Sequence, residues 1–558
     1  MKRIKNSEKP SKFLNVAWHL LVSGEHCDRI LVDHRCGEDL ILKLAAWYDQ
    51  VDVVLNDFKQ IQVLNRSVDE GNIYILVIDH NKKLPFNDDL FDVVILSNEL
   101  LDKNYNLICE SHRILKESGT LYFHTDNRFS ARNFIQILRP PFDLGDIKSG
   151  SNLIKYKRML AKVGFRKINS FSFYPNHETP INIDITEESK KSAIKRHDQS
   201  VSDIFKRIIQ GTSLYRRHLA DTYGICSVKN SGKNHIDLII EQINKQDGTS
   251  AYKLYNGEII ITVKGSLLFK LSCDNNKQEG IVKVALNQQV NDQLQQNYKQ
   301  IEAIASDCNI PDLFKQSVPR LLGQGECKGY NYYFEELKSG VPAVNFRSSA
   351  DILERILINV TDLITILHAN TCRQLPQARS SALHQLHEKI ETMDALTEQK
   401  YTLEFRYLSQ LLTESIYLSD IPMVFQKGDC SIHNVLVNDD YSVSALIDWD
   451  QSEVTGFPLV DVINLIESFK RHSLRIGMGK IVRDYLLPMK LTDLEKELLT
   501  KYCEKLGISK DLYKTMCYVY WIEHVSAQMH VHDKDWIKNN IHRITKYLSK
   551  HKTNLKVI

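Results

Sequence analysis

From Arg29 onward, short apolar runs alternate with longer stretches of helical spacing: RILVDHRCG, EDLILKLAAWY, VDVVLND, YILVID, FDVVILSNELL, NYNLICESHRILKESG and TLYFHTDN. Strand-like runs separated by helices predict a parallel sheet with crossover helices, a doubly wound α/β fold. Ligands of such sheets sit at the carboxyl ends of the strands. The polar residues fall at those ends: Asp33 and Gly37 after the first strand, Asn56 and Asp57 after the second, Asp79 after the third and Ser97 after the fourth. An acid or amide after the second strand can accept hydrogen bonds from ribose hydroxyls. Residues 171 to 228 open with SFSFYPNHETP, continue through a charged helical stretch and end in a strand, TYGICSVK. The charged stretch reads equally as a cap over an acceptor site and as a solvated helix pair. The pattern then breaks at Lys229-Asn230-Ser231-Gly232-Lys233-Asn234, a composition suited to a joint.

Beyond the joint the order changes. IDLIIEQINKQ has helical spacing, and three strand-like runs follow: EIIITVKG, SLLFKLSC and GIVKVALN. Lys283 lies in the third run among apolar neighbours, and Glu302 lies on the helix predicted next. The segment NYYFEELKSGVP, with Glu336 and Leu337, leads into a mostly helical remainder in which ILERILINVTDLITILHAN and DLEKELLTKYCEKLG are amphipathic. His368 ends the first of these and is expected to pack in the core.

One stretch departs from this helical remainder. QKGDCSIHNVLVNDDYSVSALIDWD, from Gln426 to Asp450, reads as a strand, a short loop and a hairpin that brings Asp429, Asn434 and Asp448 to one rim. Turn chemistry alone accounts for Asp439 and Asp440 at the hairpin tip. It does not account for Asp429 and Asp448 at the far ends of the apolar runs. Phosphoryl transfer needs a carboxylate on the acceptor hydroxyl and oxygen ligands for magnesium, which Asp429 and the pair Asn434 and Asp448 would supply.

Composition narrows the reading. With 558 residues the chain exceeds a single core, and two or three domains are expected. A hydrophobic share of 43% and a charged share of 25% are those of a globular protein. A net charge of +3 without a basic block points away from nucleic acid. The 11 cysteines form no CxxC pair and are odd in number, which favours a reducing cytoplasm over a disulfide framework. The run FLNVAWHLLVSG near the start is interrupted by His19 and reads as a helix, not a signal peptide. No apolar run is long enough to span a bilayer.

The order Gly428-Asp429, Asn434, Ile447-Asp448-Trp449-Asp450 and Gly456-Phe457-Pro458-Leu459-Val460-Asp461 resembles the aminoglycoside phosphotransferase and choline kinase family. That resemblance implies a two-lobed, protein-kinase-like α+β domain over residues 235–547 that phosphorylates small-molecule hydroxyls with ATP and Mg2+. It implies Asp429 as catalytic base, Asn434 and Asp448 as metal ligands, Lys283 on the nucleotide phosphates paired with Glu302, and adenine near Glu336 and Leu337. Lys427 stands where the family has His, and Phe457 where it commonly has Asp.

LPFNDDLFDVVILSNELL and ESHRILKESGTLYF, with the strand-end residues above, resemble class I S-adenosylmethionine-dependent methyltransferases over residues 14–228. That resemblance implies Asp33 and Gly37 at the methionine end of the cofactor, Asn56 or Asp57 at the ribose and Asp79 at the adenine. Arg35 stands in the loop where the family has glycine, either narrowing the pocket or pointing outward. The sequence therefore predicts a bifunctional kinase and methyltransferase with 229–234 as linker. The same domain order occurs in a bifunctional enzyme that phosphorylates and then methylates a bacterial surface polysaccharide, which makes a saccharide the leading acceptor and a natural product the next. The competing reading is a nonenzymatic binding or scaffold protein with one or both domains inactive. Oligomeric state is not legible.

Overall fold

The computed structural model describes residues 20–22, 28–55, 71–78, 83–97, 105–126, 153–174, 182–185, 222–230, 232–248, 251–262, 265–273, 279–529 and 534–551. The expected helical stretch between Glu187 and His218 lies outside them.

The first four apolar runs become β1 (Arg29–Asp33), β2 (Gln50–Leu55), β3 (Ile73–Val77) and β4 (Phe91–Leu96). They pair in parallel in the order β3-β2-β1-β4, followed by β5 (Leu115–Asp126). Successive side chains point to opposite faces, so Ile30 and Val32 enter one core and Leu31 the other. Both faces are buried, which is why these strands are apolar throughout. Helices α1 (Glu38–Ala45), α2 (Tyr105–Ile114) and α3 (Leu153–Val163) pack on the faces. The sheet continues antiparallel through β8 (Thr222–Val228), β6 (Lys167–Tyr174) and β7 (Asn182–Ile185).

The joint is ordered by a helix start. Asn234 caps α4 (His235–Asp247), accepting from Asp237 N at 2.8 Å while the Asp237 carboxylate accepts from Asn234 N at 3.3 Å. This reciprocal box fixes two otherwise unpaired amides. Gly248 ends the helix at φ +69°, a left-handed position that glycine occupies without strain.

The three strand-like runs after the joint are β9 (Tyr252–Ile261), β10 (Ser266–Cys273) and β11 (Glu279–Ala285). They do not form a sheet of their own. β9 pairs antiparallel with β7, Ile259 opposite Ile183, so one sheet of 13 strands runs from β3 to β13 (Tyr330–Glu336) and β12 (Leu321–Cys327) at its far edge. One apolar core accompanies this continuity. It includes Val32, Ile95 and Phe171, then Ile236, Ile239 and Ile243 of α4, then Ile259, Phe269, Val282 and Tyr332. By packing, the chain divides into residues 1–291 with 322–336, and residues 292–321 with 337–558. That division departs from the joint at 229–234, because the strands after it extend the first sheet.

The second unit is largely helical. Its helices include α5 (Gln288–Ser306), most of which belongs here, α6 (Ala350–Thr371), α7 (Pro376–Leu396), α8 (Thr402–Leu418), α9 (Val460–Leu474), α10 (Asp493–Leu506), α11 (Tyr513–Gln528) and α12 (Arg543–His551). Two small sheets interrupt the helices. β14 (Val341–Pro342), β16 (Val435–Val437) and β17 (Val443–Leu446) form one; β15 (Val424–Gln426) and β18 (Glu453–Gly456) form the other. Among the described residues no helix is long and apolar enough to cross a membrane, and the described cysteines are free.

Candidate active sites

The loop after β15 is built around a glycine. Gly428 holds φ +83°, and a Cβ there would collide with the backbone carbonyl of Gln451. The chain can therefore turn at this point only without a side chain. Asp429 follows, and Asn434 closes the loop by donating from Nδ2 to Asp429 Oδ2 at 2.9 Å and to Asp429 O at 3.2 Å. With its amide nitrogen so engaged, Asn434 offers Oδ1 as an acceptor. Asn434 O accepts from Ile447 N at 2.9 Å, which brings Asp448 beside it. Asp448 itself sits at φ +57°, a left-handed conformation uncommon for a residue with a side chain. The structure thus gathers Asp429, Asn434 and Asp448 along one short stretch of paired backbone.

Two buried groups hold this loop. Asp461, at the start of α9, accepts from Lys427 N at 2.6 Å and Gly428 N at 2.9 Å. Its carboxylate also meets His368 Nε2 at 3.1 Å, while His368 Nδ1 meets Tyr502 Oη at 2.6 Å. Tyr502 Oη accepts from Leu459 N, so its own proton is free to go to His368 Nδ1. His368 then carries its proton on Nε2 and donates it to Asp461. His368, expected in the core, is fully buried there as a link in this chain.

The second group is Lys427, at the position where the family pattern has His. Its side chain is fully enclosed, and Nζ donates to Asp429 O at 2.8 Å and to Asp448 O at 2.7 Å. It also lies 5.2 Å from the ring centre of Trp449. Lysine here ties the two functional segments together through their carbonyls.

In the first unit, Lys283 of β11 is buried and pairs with Glu335 of β13, Nζ to Oε1 at 2.9 Å. Glu302, with which the sequence reading paired it, lies on an exposed face of α5 in the other packing unit, and Glu335 stands on the strand adjacent to Lys283, within reach across the ladder. Glu336 ends β13 half-buried, and Leu337 follows it, also half-buried.

At the carboxyl end of β1, Asp33 is fully buried. Its Oδ2 accepts from Ser97 N at 3.2 Å, which brings Asp33 and Ser97 together as the sequence reading has them. Its Oδ1 accepts from Arg35 N at 3.2 Å and Arg35 Nε at 3.3 Å. The Arg35 side chain thus folds back onto Asp33. Gly37 takes φ +99° with open space where a Cβ would be. Asn56, Asp57 and Asp79 lie outside the described residues.

Residues 275–487 match the model of the phosphotransferase enzyme family, and residues 32–123 match that of a methyltransferase domain. The chain joins a methyltransferase-like domain to an aminoglycoside-phosphotransferase-like domain. Both are families of enzymes, and they imply S-adenosylmethionine and ATP as cofactors. Among solved structures, an S-adenosylmethionine-dependent methyltransferase from Archaeoglobus fulgidus is similar at 18% identity. It covers 39% of this chain and 94% of its own, with a TM-score of 0.27. The aminoglycoside phosphotransferase APH(3'')-Id from Streptomyces rimosus is similar at 13% identity, covering 52% of this chain and 98% of its own, with a TM-score of 0.34. No curated protein matches the sequence.

Beside the Gly428 loop of the phosphotransferase-like domain lies a cavity of about 510 Å³. Gly428 and Gln426 form its floor, and Glu388 of α7, Glu453 of β18, and Tyr520 and Glu523 of α11 line it. Gln426 Nε2 donates to Glu523 Oε2 at 2.9 Å. Burial pushes the Glu523 carboxyl up to about 7, against the pull of Lys389 and Gln426. Behind Tyr520, whose hydroxyl donates to Glu467 at 3.2 Å, burial raises Glu467 to about 6. The Asp429 charge acts on both Glu467 and Tyr520, so the cavity lies near Asp429. The sequence reading missed Glu388 and Glu523. The helix that carries Glu523 is buried continuously from Thr515 to Ile522, so no apolar stripe separates its cavity face from its core face, and Glu388 on α7 reads as an ordinary surface carboxylate.

Proposed function

We propose that residues 235–547 form the kinase domain and transfer a phosphoryl group from Mg-ATP to a hydroxyl of a saccharide or other polyhydroxylated small molecule held in this cavity. The carrying observation is the Asn434 to Asp429 hydrogen bond beside a cavity lined by carboxylates and amides. Such groups offer acceptors and donors to hydroxyls. With Oδ2 engaged by Asn434, Asp429 Oδ1 takes the proton of the acceptor hydroxyl as its oxygen bonds to the transferred phosphorus and ADP departs. Lys427 and Asp461 hold Asp429 in place during that transfer.

Asn434 Oδ1 and the Asp448 carboxylate would hold the magnesium. Both are hard oxygen donors, and among the described residues no cluster of three or more His, Cys, Asp or Glu could hold a metal unaided. The nucleotide phosphates complete such a set. When bound, the metal neutralises charge on those phosphates. Lys283 is assigned to the nucleotide phosphates with Glu335 as its carboxylate, while Glu336 and Leu337 are assigned to the adenine. Residues 14–228 form the second catalytic domain, with Asp33, Gly37 and Ser97 at S-adenosylmethionine; Asn56, Asp57 and Asp79 keep their assigned roles. The two activities act on one substrate or pathway in the cytoplasm.

The test is ADP release by the full chain with Mg-ATP and a panel of sugars, alongside Asp429→Asn. The variant is expected to lose about 100-fold to 10,000-fold in rate with ATP affinity kept within a few fold. Equal rates in both proteins would refute the assignment. Absence of turnover with every acceptor and of cofactor binding would leave the scaffold reading.

A further inference from the structure

Near Asp429, two guanidinium and two imidazole side chains come together from three separate segments. His433 lies within the catalytic loop, between Asp429 and Asn434, and is exposed. Its Nε2 is 3.0 Å from Nε2 of His472 on α9, with the ring centres 4.7 Å apart. Arg471 precedes His472, and its Nε lies 3.3 Å from Glu467 Oε1. Arg347 follows a short turn, Ala343–Phe346, which packs on the turn Ile432–Asn434 that carries His433. The charges of Arg347 and Arg471 both bear on His433 and on His472.

We propose that Arg347, Arg471, His433 and His472 form a subsite for an anionic substituent, a phosphate or carboxylate, on the molecule that presents its hydroxyl to Asp429. This rests on the kinase reading above and goes beyond it, because it names a charge the acceptor carries. Two alternatives explain less. The last turn of a helix favours basic residues, which accounts for Arg471 and His472 but not for Arg347 and His433 on other segments. Two imidazoles at this spacing could begin a metal site, yet among the described residues no third His, Cys, Asp or Glu joins them.

The arginines favour an anion. The described carboxylates that act on the cluster are Glu467, which is fully buried, accepts from Tyr520 and pairs with Arg471, and Asp429, whose charge reaches His433. Arg347 has no ion pair among the described residues and remains half-buried beside the loop. Guanidinium groups hold phosphate and carboxylate through paired, charge-assisted hydrogen bonds.

The test is calorimetric and needs no turnover, so its failure is separable from failure of the kinase assignment. The full chain is saturated with ADP and magnesium to fill the nucleotide phosphate position. It is then titrated with inorganic phosphate in one arm and glucuronate in the other. Millimolar binding of either probe, weakened roughly 10-fold to 100-fold by Arg347→Gln, is the expected result, since a charge-assisted bond is worth about 1.5 to 3 kcal/mol. The probe that binds tells which anion the site prefers. Lys501→Gln, an exposed cation on α10 paired with Glu497, should leave binding unchanged. Absence of binding by both probes, or equal weakening by Arg347→Gln and Lys501→Gln, overturns the proposal.

Discussion

Replacing Lys427 by Met removes the one cation that joins the two functional segments. Met has similar length and no donor, so Asp429 O and Asp448 O, which Nζ reaches at 2.8 and 2.7 Å, lose that partner. The two charge-assisted bonds together contribute about 3 to 6 kcal/mol. The contact with Trp449 adds on the order of 1 kcal/mol. Against these, Met removes the cost of keeping an ammonium out of water, several kcal/mol in a site this enclosed. The expected net loss is about 2 to 4 kcal/mol, concentrated in the loop. Hydrogen exchange at residues 428–434 of the full chain should accelerate accordingly, and kcat should fall at least tenfold because Asp429 and Asp448 no longer share an anchor. Unchanged exchange together with unchanged kcat would refute the staple.

The Glu523 carboxyl, raised from 4.5 to about 7 by burial, favours the folded state fully below about pH 4.5 and loses that contribution as pH rises through 7. The loss is on the order of 3 kcal/mol at most, reduced by the surface Glu523 keeps toward the cavity. Glu523→Gln should therefore flatten urea-measured stability between mildly acid and alkaline pH, and parallel pH curves would contradict this. Arg35→Gly should tighten S-adenosylmethionine binding by the full chain about tenfold in calorimetry, because Arg35 occupies Asp33 Oδ1. Equal binding would refute the obstruction, and weaker binding would show that the guanidinium helps the cofactor. A chain cut to residues 235–558 should be aggregation-prone and exchange rapidly along β9, and a monodisperse fragment protected there would contradict the shared sheet.

The catalytic hairpin was legible because its chemistry is local: Gly428, Asp429, Asn434 and Asp448 lie within one short stretch whose apolar runs fix where each polar residue emerges. The strands and helices were legible for the same reason. The frame around the hairpin was not. His368, Asp461 and Tyr502 come from three helices, and each alone reads as an ordinary core or cap residue. Lys427 read as a defect in a pattern until its two carbonyl partners came into view. Lys283 was placed in the strand it occupies, but its contact with Glu335 was not foreseen. A cross-strand neighbour such as Glu335 depends on which strands pair, and along the chain two helices and a further strand lie between β11 and β13.

The joining of the two sheets shows the same limit and carries a physical consequence. β7 and β9 pair across the joint, Asn182 opposite Ile260 and Ile183 opposite Ile259, and nothing in either strand marks the other as its partner. A linker composition at 229–234 invites a cut there, but composition reports only local chain preference. In the folded chain a cut exposes the edge of β9, an open row of amides and carbonyls of the kind that pairs with other chains. It also divides a core in which Ile236, Ile239 and Ile243 of α4 meet residues from both sides. These burials are worth about 1.5 to 3 kcal/mol per fully buried aliphatic side chain, so losing even a few is large beside the marginal stability of a domain. The unit that folds is therefore broader than the segment that carries either family pattern. The strands holding Lys283 and Glu336 draw their stability from the methyltransferase-like sheet they extend.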